Sequence, residues 1–146
     1  QIGFSSIFWS TAWAANQPPV TMGILWNPAH PAFKEFPTQY HSNYQWQDAM
    51  SHSNTIYLDE VSPTIKSIVR VIDDWVTARS LALIFECNIG KGKLLVSGID
   101  LLSEQEKRPE ARQLMYSLKK YMAGNEFKPA ENISIEKVKA LIINSD

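Results

Sequence analysis

The side chains able to do chemistry in this chain are few and dispersed. Its acids near apolar runs are Asp59-Glu60, Asp73-Asp74, Glu86 and Asp100. Glycoside hydrolysis needs two carboxylates flanking one bond, roughly 5 to 10 Å apart. Asp73, Glu86 and Asp100 fall near the ends of neighbouring predicted strands, so they are the candidates for such a pair. The last two runs read as a hairpin, which sets Glu86 near the turn and Asp100 at the far end. Strand-end capping and ion pairs to Arg70 or Arg79 account for the same acids without catalysis.

Cys87 is the only cysteine, which excludes an internal disulfide and a thiolate metal site. A cysteine nucleophile needs a nearby base and often a tight strand-to-helix elbow. Cys87 follows LALIFE and precedes a hairpin turn, so it reads as a small residue at a strand end. His30, His41 and His52 are spaced eleven apart, and no pair has the short spacing of a local metal site. No metal or cofactor is expected.

The segment from Phe36 to Gln47 interleaves aromatics with amides and hydroxyls. Aromatic faces beside amide hydrogen-bonding groups suit a surface that contacts sugar or protein. His41, Asn43, Tyr44 and Trp46 are therefore the candidate ligand-binding residues. In the plainer reading Tyr40, Tyr44 and Trp46 pack over a sheet edge while Asn43 and Gln47 satisfy loop backbone.

The elements that position these groups centre on Ser67 to Leu101. Three apolar runs lie there: Ile68 to Ile72, Leu81 to Phe85 and Leu94 to Ile99. Each has strand length, and Ile, Val, Leu and Phe dominate. LALIF is apolar at every position, which predicts burial on both faces under helices. Asn88 to Lys93 predicts a hairpin with a slightly long, bulged turn. Its two glycines do not make a phosphate loop, which needs four residues between them, a following Lys-Ser/Thr and a helix. Val20 to Trp26 and Thr55 to Leu58 are further strand candidates. Pro31 opens a short helix over 32–36, and Ser42 or Asn43 caps another from Tyr44 to His52. Pro109 to Met122 is apolar at helical spacing, with Gly124-Asn125 as its stop. Ser134 caps a last helix over 135–143. The fold class is α/β: one domain over 1–146, a layered mixed sheet with flanking helices.

The 146 residues suffice for one domain with a real core. A net charge of −1 gives no argument for nucleic acid or an anionic membrane. No run approaches the about 18 apolar residues of a membrane span. The chain opens at Gln1 directly into an aromatic segment, which points to a piece of a larger protein.

A set of stretches resembles one family: FSSIFWSTAW at 4–13, GIL and NPAHPAF within 23–33, FPT at 36–38, YHSN at 40–43 and QW at 45–46. VIDDW at 71–75, GKGKLLV at 90–96, IDL at 99–101 and the helix from Arg108-Pro109 to Met122 continue the series. Together they resemble the C-terminal region of bacterial glycoside hydrolase family 2 and β-galactosidase-like sugar-binding-domain proteins. The resemblance implies a flavodoxin-like, class I glutamine-amidotransferase-like layer, with its first strands incomplete here. It implies a non-catalytic accessory module for domain positioning, association or carbohydrate contact, in a periplasmic or secreted protein. The family's catalytic acids lie in a separate barrel, and the amidotransferase pattern Gly-x-Cys-x-Gly is missing from this sequence. The implied partners are the other domains of the parent, carbohydrate, or a second copy of the chain. A small glycoside hydrolase using Asp73, Glu86 and Asp100, and an oligomerisation domain, are the alternatives.

Overall fold

The computed structural model describes residues 3–4, 20–21, 23–74 and 77–143. Its element order is β1 (Gly3–Phe4), β2 (Val20–Thr21), β3 (Ile24–Trp26), a 3-10 helix (Pro31–Phe33), α1 (Tyr44–Ser51), β4 (Ile56–Tyr57), β5 (Ser67–Val71), β6 (Leu81–Ile89), β7 (Gly92–Ser97), α2 (Pro109–Ala123) and α3 (Ile135–Ile143). Most of the expected aromatic N-terminal segment, residues 5–19, lies outside the described residues.

β6 is the axis of a five-stranded sheet. β5 pairs antiparallel along one edge, from Ser67 opposite Phe85 to Val71 opposite Leu81. The other edge is shared end to end, with β4 opposite Leu81 and Ala82 and β7 opposite Ile84 to Ile89, again antiparallel. β3 adds outside β5, also antiparallel. Parallel pairing among the described residues is confined to β1 with β2 and a single bridge between Asn88 and Asn132. The expected strand over 20–26 is thus two short strands in different sheets. β5 and β6 carry compensating irregularities between Ser67 and Arg70, which re-aim successive side chains without losing the pairing.

Both sheet faces are covered. One face packs Leu83, Ile84, Val69 and Val71 against Phe33, Phe36, the α1 residues Trp46, Ala49 and Met50, and the α2 residues Leu114 and Leu118. The other face packs Ala82, Phe85 and Cys87 against Leu58, Val61, Ile133 and Val138 of α3. The uninterrupted apolar run in β6 is explained by this two-sided burial.

The expected helices appear where caps and periodicity set them. Asn43 Oδ1 accepts from the Gln45 amide at 3.0 Å and starts α1. Pro109 occupies the first turn of α2, where its missing N–H costs nothing. The Ser134 hydroxyl accepts from the Lys137 amide at 3.4 Å at the start of α3.

Two glycines are dictated by backbone geometry. The β6–β7 turn is tight, with only Gly90 and Lys91 between the paired Ile89 and Gly92, and not the longer bulged turn expected. Gly90 at the first central position has φ +57°, which a side chain disfavours. Gly98 is bonded on both sides, donating to the Leu83 carbonyl of β6 at 2.7 Å and accepting from the Asn54 amide at 2.8 Å, and the Asn54 carbonyl oxygen sits only 2.1 Å from where a Cβ would stand.

Candidate functional site

The 36–47 segment divides into an inner and an outer part. Trp46 is fully buried and belongs to the core. Its ring lies 4.5 Å from Trp26, 5.8 Å from Phe33 and 5.3 Å from Phe36, centroid to centroid. Its Nε1 donates to Thr38 Oγ1 at 2.8 Å. Trp46 is therefore removed from the candidate contact surface; its spacing with Ala49 and Met50 is the signal that marks it as inward-facing. Gln45 Nε2 donates to the Pro37 carbonyl at 3.1 Å and closes the loop onto α1. Tyr40 and Tyr44 are left 77% and 88% exposed, and His41 and Asn43 are exposed beside them. The plainer reading, with both tyrosines packed on a sheet edge, does not describe them.

The three candidate acids sit in three different structural roles. Asp73 receives two side-chain hydrogen bonds from Arg79, at 2.8 and 2.9 Å, and a third from the Arg79 amide at 2.8 Å. Burial acts to raise its pKa, and the Arg79 bonds overcome it, so the carboxyl lies below its ordinary value. Asp100 is exposed and its Oδ1 accepts from the Leu102 and Ser103 amides, both at 3.0 Å. Those bonds, with the Ser103 contribution largest, hold its pKa at about 2. Glu86 accepts from the Tyr121 hydroxyl at 2.7 Å. Burial, then this contact, pushes the Tyr121 phenol above its ordinary pKa. Asp73 follows the Val71–Leu81 end of β5, and Asp100 follows β7 toward the same end. Glu86 lies five residues along β6 from Leu81, roughly 17 Å at the usual strand rise. These three carboxylates are not brought to one bond.

Cys87 is buried between the sheet and α3, and burial followed by the Glu86 charge raises its thiol pKa. It packs; it is not presented to a substrate. His30, His41 and His52 do not meet. Among the described residues no group of three His, Cys, Asp or Glu side chains has a metal-binding arrangement.

What sequence reasoning missed is a cleft of about 460 Å³ at the Ser67 end of β5. Its walls include His30, Lys66, Ser67, Glu86 and Lys128. A neighbouring cleft of about 470 Å³ shares His30, Lys66 and Ser67 and extends to Arg70 and Ser80. His30 Nδ1 accepts from the Ala32 amide at 3.2 Å, which assigns the neutral ring's proton to Nε2. Burial lowers the His30 pKa, with Glu86 opposing. The linker bearing Lys128 is fixed from both sides. Lys93 Nζ donates to the Phe127 carbonyl at 2.6 Å, Asn88 Nδ2 to the Pro129 carbonyl at 2.7 Å, and the Asn88 amide to the Glu131 carbonyl at 2.7 Å.

The family model described as a domain of unknown function, DUF8487, matches residues 1–143. The chain belongs to this family. No curated protein matches it. In this DUF8487 domain the exposed tyrosine loop and the polar cleft lie on different elements, α1 with its entry loop and the β5–β6 end of the sheet. The loop offers aromatic faces and an amide. The cleft offers two carboxylates, Glu86 and Glu131, an imidazole N–H and lysine ammonium groups. In the cleft the Thr64 hydroxyl donates to Glu131 Oε2 at 3.0 Å. Both suit binding, and no helix among the described residues is long and apolar enough to cross a membrane.

Proposed function

We propose that this DUF8487 domain is a non-catalytic accessory module of a glycoside hydrolase of the β-galactosidase-like kind, and that it contacts carbohydrate through its 40–44 loop. One observation carries the reading. Tyr40 and Tyr44 project into solvent at 77% and 88% exposure from a loop anchored by the buried Trp46. Aromatic rings at the surface beside Asn43 and His41 suit stacking on a sugar face with amide hydrogen bonds at its edge. The separation of Asp73, Glu86 and Asp100 supports a binding role over the small-hydrolase alternative.

The test is binding of the intact chain to a panel of galactosides and glucosides. Tyr44→Ala and Tyr40→Ala lower binding at least tenfold with an unchanged thermal midpoint. Binding that survives both substitutions removes the loop from the reading. Turnover of nitrophenyl glycosides that disappears in Glu86→Gln would instead make the domain an enzyme.

An association role is favoured by a separate feature. Leu102 is 73% exposed beside an apolar groove of about 300 Å³ lined by Leu95, Met115 and Met122. Sedimentation of the chain and of Leu102→Asp separates this role from sugar contact, since only association shifts the sedimentation coefficient. For the fold, we infer a flavodoxin-like, amidotransferase-like layer. Its support is a sheet covered by helices on both faces. A periplasmic or secreted location and the other domains of the parent as partners go with the same reading.

A further inference from the structure

Lys66 and Lys128 approach the same cleft from separate segments, one at the entry to β5 and one in the linker after α2. Both are exposed, and neither has an ion-pair or hydrogen-bond partner among the described residues. Their backbones are nevertheless fixed, Lys66 by the adjoining Ser67–Phe85 pairing and Lys128 by the hydrogen bonds from Lys93 and Asn88 on either side of it. Cationic charge is thus placed over the cleft without being spent inside the protein. Two carboxylates share the cleft: Glu86, with Oε2 bonded to Tyr121 at 2.7 Å, and Glu131, whose Oε2 accepts from Thr64 Oγ1 at 3.0 Å and pairs with neither lysine. The His30 Nε2–H is a donor in the same wall, because Nδ1 is occupied by the Ala32 amide.

This combination selects a ligand class. A dianion such as phosphate is repelled by the Glu86 and Glu131 carboxylates, which in turn need donors. A neutral sugar supplies hydroxyl donors and leaves the lysines unmatched. A ligand with hydroxyl groups and a single negative charge satisfies both. The volume of about 460 Å³ admits one sugar ring with part of its neighbour, and lies within the usual range of small-ligand clefts. We propose that this cleft binds one residue of an acidic saccharide, with the hexuronate carboxylate at Lys66 and Lys128 and the ring hydroxyls on Glu86 and His30. The proposal rests on the carbohydrate reading above and places a second subsite away from the tyrosine loop.

The experiment is calorimetric titration of the intact chain with a galacturonate trisaccharide, its neutral galactose counterpart, acetate and inorganic phosphate. The uronate trisaccharide is expected to bind at least tenfold more tightly than the neutral one. The Lys66→Gln/Lys128→Gln double variant is expected to erase that difference with an unchanged thermal midpoint, both side chains being exposed. Glu86→Gln is expected to weaken the uronate trisaccharide while leaving acetate unaffected. Uronate binding unchanged in the double variant overturns the proposal, as does acetate or phosphate binding as tightly as the uronate. Glycan binding that is lost in Tyr44→Ala and kept in the double variant overturns the cleft and leaves the loop reading standing. If no glycan binds at all, both fall.

Discussion

Arg108 Nε donates to both carboxylate oxygens of Asp48, at 2.9 and 3.0 Å, and so bolts the start of α2 to the middle of α1. The rest of the guanidinium donates to the Ser103 and Asp100 carbonyls at 3.1 and 2.8 Å. A single side chain, 5% exposed, thereby joins both helices and the loop after β7. Removing it leaves Asp48 and two carbonyls without their donor. Arg108→Ala is expected to cost about 3 kcal/mol in urea unfolding, the scale for breaking one half of a buried pair. Arg108→Lys recovers only part, because an ammonium lacks the planar fork. A loss within experimental error for Arg108→Ala would show that the pair contributes nothing net.

Acid stability follows from Asp73 and Asp100. Asp100 has a folded pKa of about 2 against an ordinary 3.8, and that of Asp73 is also lowered. A depressed folded pKa means that the unfolded chain takes up the proton first as pH falls. The stabilisation is therefore complete above about pH 4 and is lost progressively as pH drops toward 2. Asp100→Asn keeps an oxygen to accept from Leu102 and Ser103 but cannot titrate. Its thermal midpoint should lie below that of the parent chain at pH 6 and converge with it near pH 2. Parallel curves across that range would remove Asp100 from the acid transition.

Gly98→Ala places a methyl group where the Asn54 carbonyl oxygen already lies, at 2.1 Å. The obstacle is backbone, so it cannot swing aside. The expected loss is about 1–3 kcal/mol, the range for overpacking, with the Asn54–Gly98 pairing loosened first. Faster exchange of the Asn54 amide, which donates to the Gly98 carbonyl at 2.8 Å, reports this directly. An unperturbed Asn54 amide would contradict it.

Trp46 and Tyr44 are two residues apart and should behave oppositely. Trp46→Ala empties the centre of an aromatic cluster and should cost about 3–5 kcal/mol. Tyr44→Ala removes a solvated ring and should change stability by less than about 0.5 kcal/mol. Chemical denaturation of the two variants checks the contrast. Similar losses in both would mean that Tyr44 has a packing role.

The local rules served the elements well. Ser42 or Asn43, Pro109 and Ser134 announced three helix starts, with Asn43 the cap that forms, and the apolar runs announced β5, β6 and β7. The sharing of one β6 edge between β4 and β7 was not legible, because it depends on partners far apart in sequence. The same limit hid the cleft. His30, Lys66, Glu86 and Lys128 span nearly a hundred positions and meet only through the sheet register and the pinned linker. The inward turn of Trp46 was legible in its helical spacing with Ala49 and Met50, but the amide-rich composition around it pointed outward.

β6 has hydrogen-bonded neighbours along both edges and apolar cover on both faces. Each of its central amides is bonded to one neighbouring strand, so freeing it requires that strand to peel away from a sheet packed on both faces. Exchange at Leu83 to Phe85 therefore belongs at the high end of the range of opening free energies, where core strands lie. Among the described residues the slowest exchange is expected within this single strand, and its rate bounds the unfolding free energy from below.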